Sequence, residues 1–238
     1  IREGDRVVGV TAKDEHGERL EFRAKMVFDC SGARAVIGNM LKIRHASPQK
    51  RCAVYAHYRA RALDEDLQDG WIVAQMFPNG WTWLIPLGDD LMSVGVVLET
   101  ERYQQPETFP EGKRADESPE QYLDRMIESK GLLESGMSPD ATRVSDVRVT
   151  GNVGYTSDRF IGEGWALIGD AAYFIDPCYS SGVHLALSSA ELAADIFLRC
   201  HAEGDYSPRH FRCYEKKLRS TEKAVTKMVD AFYIASRN

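Results

Sequence analysis

The stretch Trp165–Leu187, W-A-L-I-G-D-A-A-Y-F-I-D-P-C-Y-S-S-G-V-H-L-A-L, decides the fold of this chain. Its first four residues, Trp165–Ile168, are apolar and too few for a stable helix, so they predict a short buried strand that ends at Gly169-Asp170. An Asp at the carboxyl end of a strand lies where open α/β sheets bind ligands, and its carboxylate accepts hydrogen bonds from hydroxyl groups. The stretch therefore predicts a ligand-binding edge with Asp170 on it.

The second half of the same stretch predicts the start of a long helix. Asp176-Pro177 forces a turn, because the residue before a proline is pushed out of helical space. Ser180 or Ser181 is then the natural N-cap of a helix that begins near Gly182. The first turn of a helix has amide N–H groups without partners and the positive end of the helix dipole. We therefore expect an anion to bind there.

A second motif, W-x-W-x-I-P, is complete as Trp81, Trp83, Ile85 and Pro86. Together with Gly169-Asp170 and the D-P-x-x-S-S-G run, it makes the chain resemble the flavin-dependent halogenases, in the phenol and pyrrole branch of the FAD-dependent hydroxylase-like superfamily. Either motif alone is suggestive, and both in family order are a strong signal. The resemblance implies an α/β (α+β) two-domain fold: part of an FAD-binding Rossmann-like domain, an antiparallel β-sheet substrate domain and a C-terminal helix.

The resemblance also assigns residues to the cofactor and to the halide. Those assigned to FAD binding are Ser31, Gly32, Gly169, Asp170, Pro177 and Gly182, with Asp170 on the flavin ribitol. The amides of Ser181 and Gly182 are expected to hold the halide, and Tyr179, Ser180 and His184 are expected only as neighbours of the site. A strand followed by a tight glycine turn is the simpler interpretation of Ser31-Gly32.

Trp81 and Trp83 are two residues apart on a predicted strand, so their side chains point to the same face. Two adjacent indoles usually mean core packing. The resemblance implies a catalytic role instead, in which the pair lies between the flavin and the substrate chambers. Both interpretations stay open.

The resemblance implies an oxidoreductase of secondary metabolite biosynthesis that installs chloride or bromide on an electron-rich aromatic, a phenol or pyrrole, free or tethered to a carrier protein. The reaction would run through a flavin hydroperoxide and hypohalous acid, with reduced FAD supplied by a separate flavin reductase. Tyr179 stands where enzymes acting on free tryptophan carry Glu, which favours the phenol and pyrrole branch. The alternatives are an FAD-dependent aromatic monooxygenase or reductase and a non-catalytic, truncated flavoprotein module.

The composition narrows the possible partners. A net charge of −6 argues against nucleic acid as the main partner. There is no run near the roughly 18 apolar residues that a membrane span needs, and the start of the chain does not read as a signal peptide, so a cytoplasmic location is expected. Five cysteines without a C-x-x-C spacing predict neither a disulfide framework nor a metal site.

The G-x-G-x-x-G fingerprint of dinucleotide-binding folds does not occur in the sequence. The family places it, and the lysine that relays the oxidised halogen, upstream of Ile1. The chain is therefore expected to be a fragment that is inactive alone.

The hydrophobic pattern and the resemblance together divide the chain into four segments. The resemblance implies that residues 1–44 are part of the FAD-binding domain, and their pattern predicts a hairpin built from 5–12 and 19–29 around a turn at Asp14–Gly17. The resemblance implies that residues 45–150 are the substrate domain, with predicted strands at 52–60, 71–77, 81–87, 91–98 and 141–150. One helix is predicted to start at Ser118-Pro119, with a capping box formed by Ser118 and Gln121. The resemblance implies that residues 151–200 return to the FAD-binding domain, and the helix there is predicted to have a core-facing side with Leu185, Leu187, Leu192, Ile196 and Phe197. Residues 201–238 are predicted to form the C-terminal helix, docked on the core through apolar residues at three- and four-residue steps: Phe211, Tyr214, Leu218, Val225, Met228 and Phe232.

Overall fold

The computed structural model of the chain describes residues 1–63, 65–131, 136–151 and 153–235. Its contacts divide the chain into two compact units. The first unit comprises Ile1–Ser47 and Gly154–Val229, and the second comprises Pro48–Val153 and the residues from Asp230 onward. The sequence analysis placed domain boundaries after residues 44 and 150, and a further boundary after residue 200 at the start of the C-terminal helix segment.

Residues 1–47 form short strands and one short helix. They are β1 Arg2–Glu3, β2 Arg6–Val7, β3 Gly9–Lys13, β4 Arg19–Arg23, β5 Val27–Asp29, α1 Val36–Met40 and β6 Arg44–Ala46. β3 and β4 pair antiparallel around the predicted Asp14–Gly17 turn. The predicted second strand, 19–29, is interrupted and appears as β4 and β5.

The second unit is built on one antiparallel sheet. Its elements are β7 Arg51–Arg59, α2 Glu65–Gln68, β8 Val73–Phe77, β9 Gly80–Gly88, β10 Leu91–Glu99, α3 Thr100–Gln104, α4 Pro119–Ser129, β11 Thr142–Arg143 and β12 Arg148–Gly151. The strand order is β11-β7-β10-β9-β8, and β12 also pairs with β7. The four predicted hairpin strands are confirmed to within a few residues. The predicted return strand 141–150 is instead two strands, β11 and β12.

Helix α4 covers one face of this sheet. Ser118 Oγ accepts a hydrogen bond from the Gln121 amide at 3.2 Å, and Gln121 Oε1 accepts one from the Ser118 amide at 2.8 Å, which is the predicted capping box. The helix buries Tyr122, Leu123 and Met126 against the sheet core. The opposite face of the sheet carries the two tryptophans of β9.

The rest of the first unit surrounds the stretch that opened the sequence analysis. Its elements are β13 Tyr155–Ser157, β14 Ile161–Gly162, β15 Trp165–Leu167, α5 Gly182–Glu203 and α6 Arg212–Ala235, the last of which extends into the second unit. Short 3-10 turns lie at Gly169–Ala171, Pro177–Tyr179 and Pro208–Phe211. β15 pairs in parallel with β5 and antiparallel with β14. The predicted fold class is confirmed, including the antiparallel sheet and the C-terminal helix.

The predicted core-facing side of α5 is correct except at one position: Leu185, Leu192, Ile196 and Phe197 pack against the core of the first unit, whereas Leu187 does not. Leu187 was expected in the core, but it is 67% exposed. The residues that α5 buries include Ser189 and Ala193, which are small. Small residues are needed on this side because α5 approaches the turn at Gly169 closely, as described below. The hydrophobic pattern therefore misplaces Leu187 and does not select the small buried residues.

The far end of α6 differs from the prediction at Met228, which was expected on the buried side but is 51% exposed. Phe232, expected on the same side, is half-buried against the Trp81 ring, and Val229 and Tyr233 are buried as well. Val229 follows the buried Leu218 by about three full helical turns, so the two lie on one line, whereas Met228 is rotated away from it. Among the described residues, no helix is both long and apolar enough to cross a membrane.

Candidate functional site

The turn that follows β15 is packed directly against α5. Gly169 has φ = +56°, and its amide donates to Ser189 Oγ at 2.9 Å. A β-carbon at this position would lie 2.8 Å from Ala186 Cβ. The glycine therefore allows both the left-handed backbone and the contact with the helix.

The carboxylate of Asp170 receives no hydrogen bond from the described residues. Its backbone carbonyl accepts a hydrogen bond from Tyr155 Oη at 2.9 Å, but its half-buried carboxylate accepts none within the described parts of the chain. Burial raises the pKa of the Asp170 carboxyl, because the ionised form loses hydration there. A hydroxyl-bearing ligand would supply the missing donors, so this residue fits the ribityl chain of FAD.

The N-terminal end of α5, at Ser181 and Gly182, presents backbone amides that can bind an anion, and we call it the helix mouth. The backbone of Ser180 is in the left-handed region, with φ = +49°, and that of Ser181, the next residue, is in the right-handed helical region. This succession turns neighbouring N–H groups toward one side, as in the anion-binding concavities called nests. The amides of Ser181 and Gly182 have no acceptor among residues that the structure describes. The N-cap is Ser181 as expected, but its hydroxyl makes no capping hydrogen bond, so the expected side-chain cap is wrong.

A small cleft lies in front of these amides. Its volume is about 10 Å³, and its lining includes Gly169, Asp170, Asp176, Ser181 and Gly182. This is the room of about one water molecule or one monatomic ion. The carboxylates of Asp170 and Asp176 oppose an anion, so the favourable contacts must come from the amides.

Gly182 is not required by the fold. Its φ lies outside the left-handed region, and an added β-carbon would meet only the Phe174 ring, at an ordinary 3.6 Å. Packing therefore does not explain why this position is a glycine. A side chain here would enter the cleft, so one explanation is that glycine keeps the cleft open.

The remaining neighbours form the approach to the helix mouth. Pro177 begins a 3-10 turn that is capped by Asp176, whose Oδ1 accepts from the Cys178 amide at 3.0 Å. Tyr179 is exposed, and its hydroxyl donates to the Met228 carbonyl at 3.1 Å. His184 is exposed in the first turn of α5.

The turn after β5 is organised by a residue that sequence reasoning missed. The buried Asp29 accepts hydrogen bonds from the amide and hydroxyl of Ser31 and, at 2.7 Å, from the Ile37 amide. The Ser31 side chain is therefore used inside the turn. Gly32 has φ = +61° with open space around it. The Asp-x-Ser spacing is a recognisable Asx-turn signal that could have identified Asp29.

The two tryptophans lie side by side in the second unit, and the prediction that they share a face is confirmed. Their ring centroids are 5.6 Å apart, and Trp81 and Trp83 are only 5% and 9% exposed. The Trp81 indole N–H donates to Tyr233 Oη at 2.9 Å, and that of Trp83 donates to Ser93 Oγ at 3.0 Å. Both polar groups are satisfied, which holds the rings in fixed orientations.

Gly95 on β10 makes room for Trp83, and no sequence signal indicated it. The two residues are directly opposite each other in the sheet, and a β-carbon on Gly95 would lie 2.3 Å from Trp83 Cζ2. On the other side of Gly95, β7 contributes Tyr55, whose ring centroid is 5.8 Å from that of Trp83. The glycine therefore lets the indole lie across the strand between two aromatic neighbours.

The structure brings only some of the predicted site residues together. Gly169, Asp170, Ser181 and Gly182 line one cleft of the first unit. The turn that contains Gly32 belongs to the same unit and contacts the turn at Gly169–Ala171. Trp81 and Trp83 belong to the second unit.

Comparison with known proteins identifies a family. The family model described as tryptophan halogenase matches residues 1–238. A Pseudomonas fluorescens chlorinase of 1H-pyrrole-2-carbonyl-(peptidyl-carrier protein) is 27% identical over 221 residues, covering 90% of this chain and 47% of that protein. The tryptophan 2-halogenase of Chondromyces crocatus is 31% identical over 195 residues, covering 81% of this chain and 36% of that protein.

A solved structure agrees with both comparisons. The myxobacterial chondrochloren halogenase CndH, a variant of the FAD-dependent halogenases, superposes with a TM-score of 0.83 at 31% identity, over 98% of this chain and 52% of that one. The chain thus spans about half the length, or less, of these relatives. The match along the whole sequence shows that the chain belongs to the tryptophan halogenase family.

Proposed function

We propose that the protein containing this chain is an FAD-dependent halogenase that installs chloride or bromide on an electron-rich aromatic, a phenol or a pyrrole. The observation that carries the proposal is the pair of amides at Ser181 and Gly182 that have no acceptor among the described residues, because both residues line a cleft with room for one ion. Membership of the halogenase family supports the same reaction class.

Asp170 is the residue proposed to hold the cofactor. Its carboxylate would accept hydrogen bonds from flavin hydroxyl groups, and the turns at Gly32 and Gly169 would allow the close approach of backbone to ligand. When bound, reduced FAD supplies the oxygen chemistry that oxidises a halide. We propose that a separate flavin reductase delivers it in the reduced form.

The helix mouth is proposed to hold the halide. Amides and the helix dipole are fixed in the fold, so they bind the anion without reorganisation and without an amine that an oxidised halogen would attack. A halide that filled this small cleft would leave little room for water beside it, which would strengthen these contacts.

The proposed substrate is a phenol or pyrrole, either free or tethered to a carrier protein. Tyr179 in the approach to the helix mouth supports this class, as does the similarity to a chlorinase of a carrier-bound pyrrole. Trp81 and Trp83 are proposed to form a rigid aromatic wall of the substrate chamber, consistent with their fixed indole N–H groups.

Replacing Asp170 with asparagine should change stability and flavin binding in opposite directions. The folded-state pKa of this carboxyl is raised, so its contribution to stability is present at low pH and is lost as the pH rises through that pKa. Asparagine removes the buried charge, so Tm of the flavin-free complete protein at pH 7 should rise slightly. FAD affinity should fall about tenfold, because one amide oxygen replaces a charged acceptor.

Thermal unfolding and a flavin-fluorescence titration measure the two effects of Asp170→Asn. Ser188→Ala, on the exposed side of α5, is the matched control and should change neither quantity. Unchanged FAD affinity in the Asp170→Asn variant would contradict the proposal that Asp170 binds the cofactor.

Replacing Gly182 with alanine should weaken the halide site without disturbing the fold. The new methyl group makes one ordinary contact, so Tm should stay within about 2 °C. It also enters the lining of a cleft that holds one ion, so the halide concentration for half-maximal product formation should rise about tenfold. Val183→Ala, one position further and exposed, is the matched control.

Halide-dependent product formation by the complete protein also separates this proposal from a monooxygenase. A monooxygenase makes oxygenated product without halide, whereas a halogenase requires chloride or bromide. Crystals soaked in bromide should show an anomalous peak at the amides of Ser181 and Gly182. Oxygenated product in halide-free buffer, together with no such peak, would contradict the proposed function.

A further inference from the structure

Helix α6 has an outward face that is entirely free of acidic residues. Between Arg212 and Met228, its exposed positions are Arg212, Cys213, Lys216, Lys217, Ser220, Lys223, Ala224, Lys227 and Met228. We call the five cationic members, Arg212, Lys216, Lys217, Lys223 and Lys227, the basic face. It extends for about 22 Å along the helix. Such a face is unusual in a chain with a net charge of −6.

The acidic residues of the same part of α6 point inward and have partners there. Glu215 Oε1 accepts a hydrogen bond from the Phe160 amide at 2.7 Å. Glu222 pairs with Arg219 at 3.0 Å, and Arg219 also bonds the Ser157 carbonyl. No carboxylate of the described chain lies within ion-pair distance of the basic face. The carboxylates in this part of the helix therefore form contacts within the fold, whereas the cations of the basic face are exposed to solvent.

The basic face ends beside the approach to the halide cleft. The carbonyl of Met228 accepts the hydroxyl of Tyr179 at 3.1 Å, and Tyr179 ends the 3-10 turn that leads to Ser180 and Ser181. All of these residues belong to the first unit. A molecule bound along α6 is thereby placed next to the proposed site.

We propose that the basic face is the docking surface for a small acidic carrier protein, which presents the aromatic substrate as a covalently tethered group. This inference rests on the proposed function. Five cations without acidic neighbours attract a surface of opposite charge and raise the rate of encounter. The position of Tyr179 relative to Met228 gives the bound carrier access to the approach of the site.

Charge and packing favour an acidic protein over the other polyanions. A helix that lies on a membrane inserts large apolar side chains, but between Arg212 and Val229 most large apolar residues of α6 are turned toward the core, and Tyr214, Leu218 and Val229 are buried there. Met228 is the single large apolar residue among its exposed positions before Val229. Binding of nucleic acid is favoured by a positive overall field, whereas this chain has a net charge of −6.

The test compares a tethered with a free substrate in the complete protein. The variant Lys216→Gln/Lys223→Gln/Lys227→Gln is assayed with an acidic peptidyl carrier protein loaded with a 1H-pyrrole-2-carbonyl group, and with the same acyl group on a small soluble thiol. For the tethered substrate, kcat/KM should fall at least tenfold, mainly through KM, and should lose most of its dependence on salt. For the free thioester, kcat/KM should not change.

A variant with the same loss of charge elsewhere is the control. Lys13→Gln/Lys42→Gln/Lys50→Gln removes three exposed cations outside α6 and should leave both substrates unaffected. The docking proposal is overturned if the α6 variant processes the tethered substrate normally, or loses activity on both substrates equally. It is also overturned if the α6 lysines bind anionic phospholipid vesicles while carrier kinetics stay unchanged. If the wild-type protein halogenates neither of these pyrrole substrates nor a free phenol, the proposed function is refuted instead.

Discussion

Gly169→Ala should destabilise the protein by about 2–5 kcal/mol and abolish flavin binding. The backbone at this position has φ = +56°, which costs a residue with a β-carbon about 1–2 kcal/mol. The methyl group would also lie 2.8 Å from Ala186 Cβ and 3.1 Å from Ala186 Cα. Neither atom can rotate away, so α5 must move, and overpacking of this kind costs about 1–3 kcal/mol. Moving α5 displaces the helix mouth at Ser181 and Gly182.

Urea unfolding measures the loss of stability in Gly169→Ala, and Gly4→Ala separates its two causes. Gly4 has nearly the same backbone, with φ = +59°, but no atom lies within 4 Å of a β-carbon built there. Gly4→Ala should therefore show the backbone cost alone, about 1–2 kcal/mol. Equal losses in the two variants would mean that the contact with Ala186 has no energetic weight.

Gly95→Ala should displace the Trp83 indole and destabilise the second unit by about 2–4 kcal/mol. The new β-carbon would lie 2.3 Å from Cζ2 and 2.4 Å from Cη2 of the ring, which no small adjustment relieves. Displacing the ring also breaks the hydrogen bond to Ser93, worth about 1 kcal/mol. If the pair forms a wall of the substrate chamber, halogenation should fall as well.

A double-mutant cycle tests whether the loss in Gly95→Ala comes from Trp83. In a Trp83→Ala background the space is empty, so adding Gly95→Ala should cost almost nothing, and the coupling energy should equal most of the original loss. Gly151→Ala, in the same sheet but with open space around the β-carbon, is the matched control. A full loss of stability in the Trp83→Ala background would show that the indole is not the obstacle.

Local sequence signals predicted the parts of this fold that depend on neighbours in sequence. Ser118 and Gln121 form the expected capping box, and the turn residues set the four hairpin strands of the second unit. The strand before Gly169 is also in place. These features are fixed by backbone chemistry within a few residues, so one sequence is enough to find them.

Features that depend on contacts between distant segments were not predictable in the same way. Gly95 on β10 lies opposite Trp83 on the neighbouring strand β9, and Ser189 on α5 contacts Gly169 in the turn after β15. Nothing near these residues in sequence marks their roles. The buried line of α5 consists partly of small residues, which a hydrophobic pattern does not select. The roles assigned to the site residues and the domain boundaries remain predictions.

The unsatisfied carboxylate of Asp170 has a consequence for the life of the protein in a cell. A ligand that binds only the folded state increases the free energy of unfolding by an amount that grows with its concentration. Flavin bound at Asp170 would therefore stabilise the folded protein, and protein chains synthesised during flavin shortage would unfold more often. Proteases degrade the opened form, so cofactor supply is expected to govern how much of this protein accumulates.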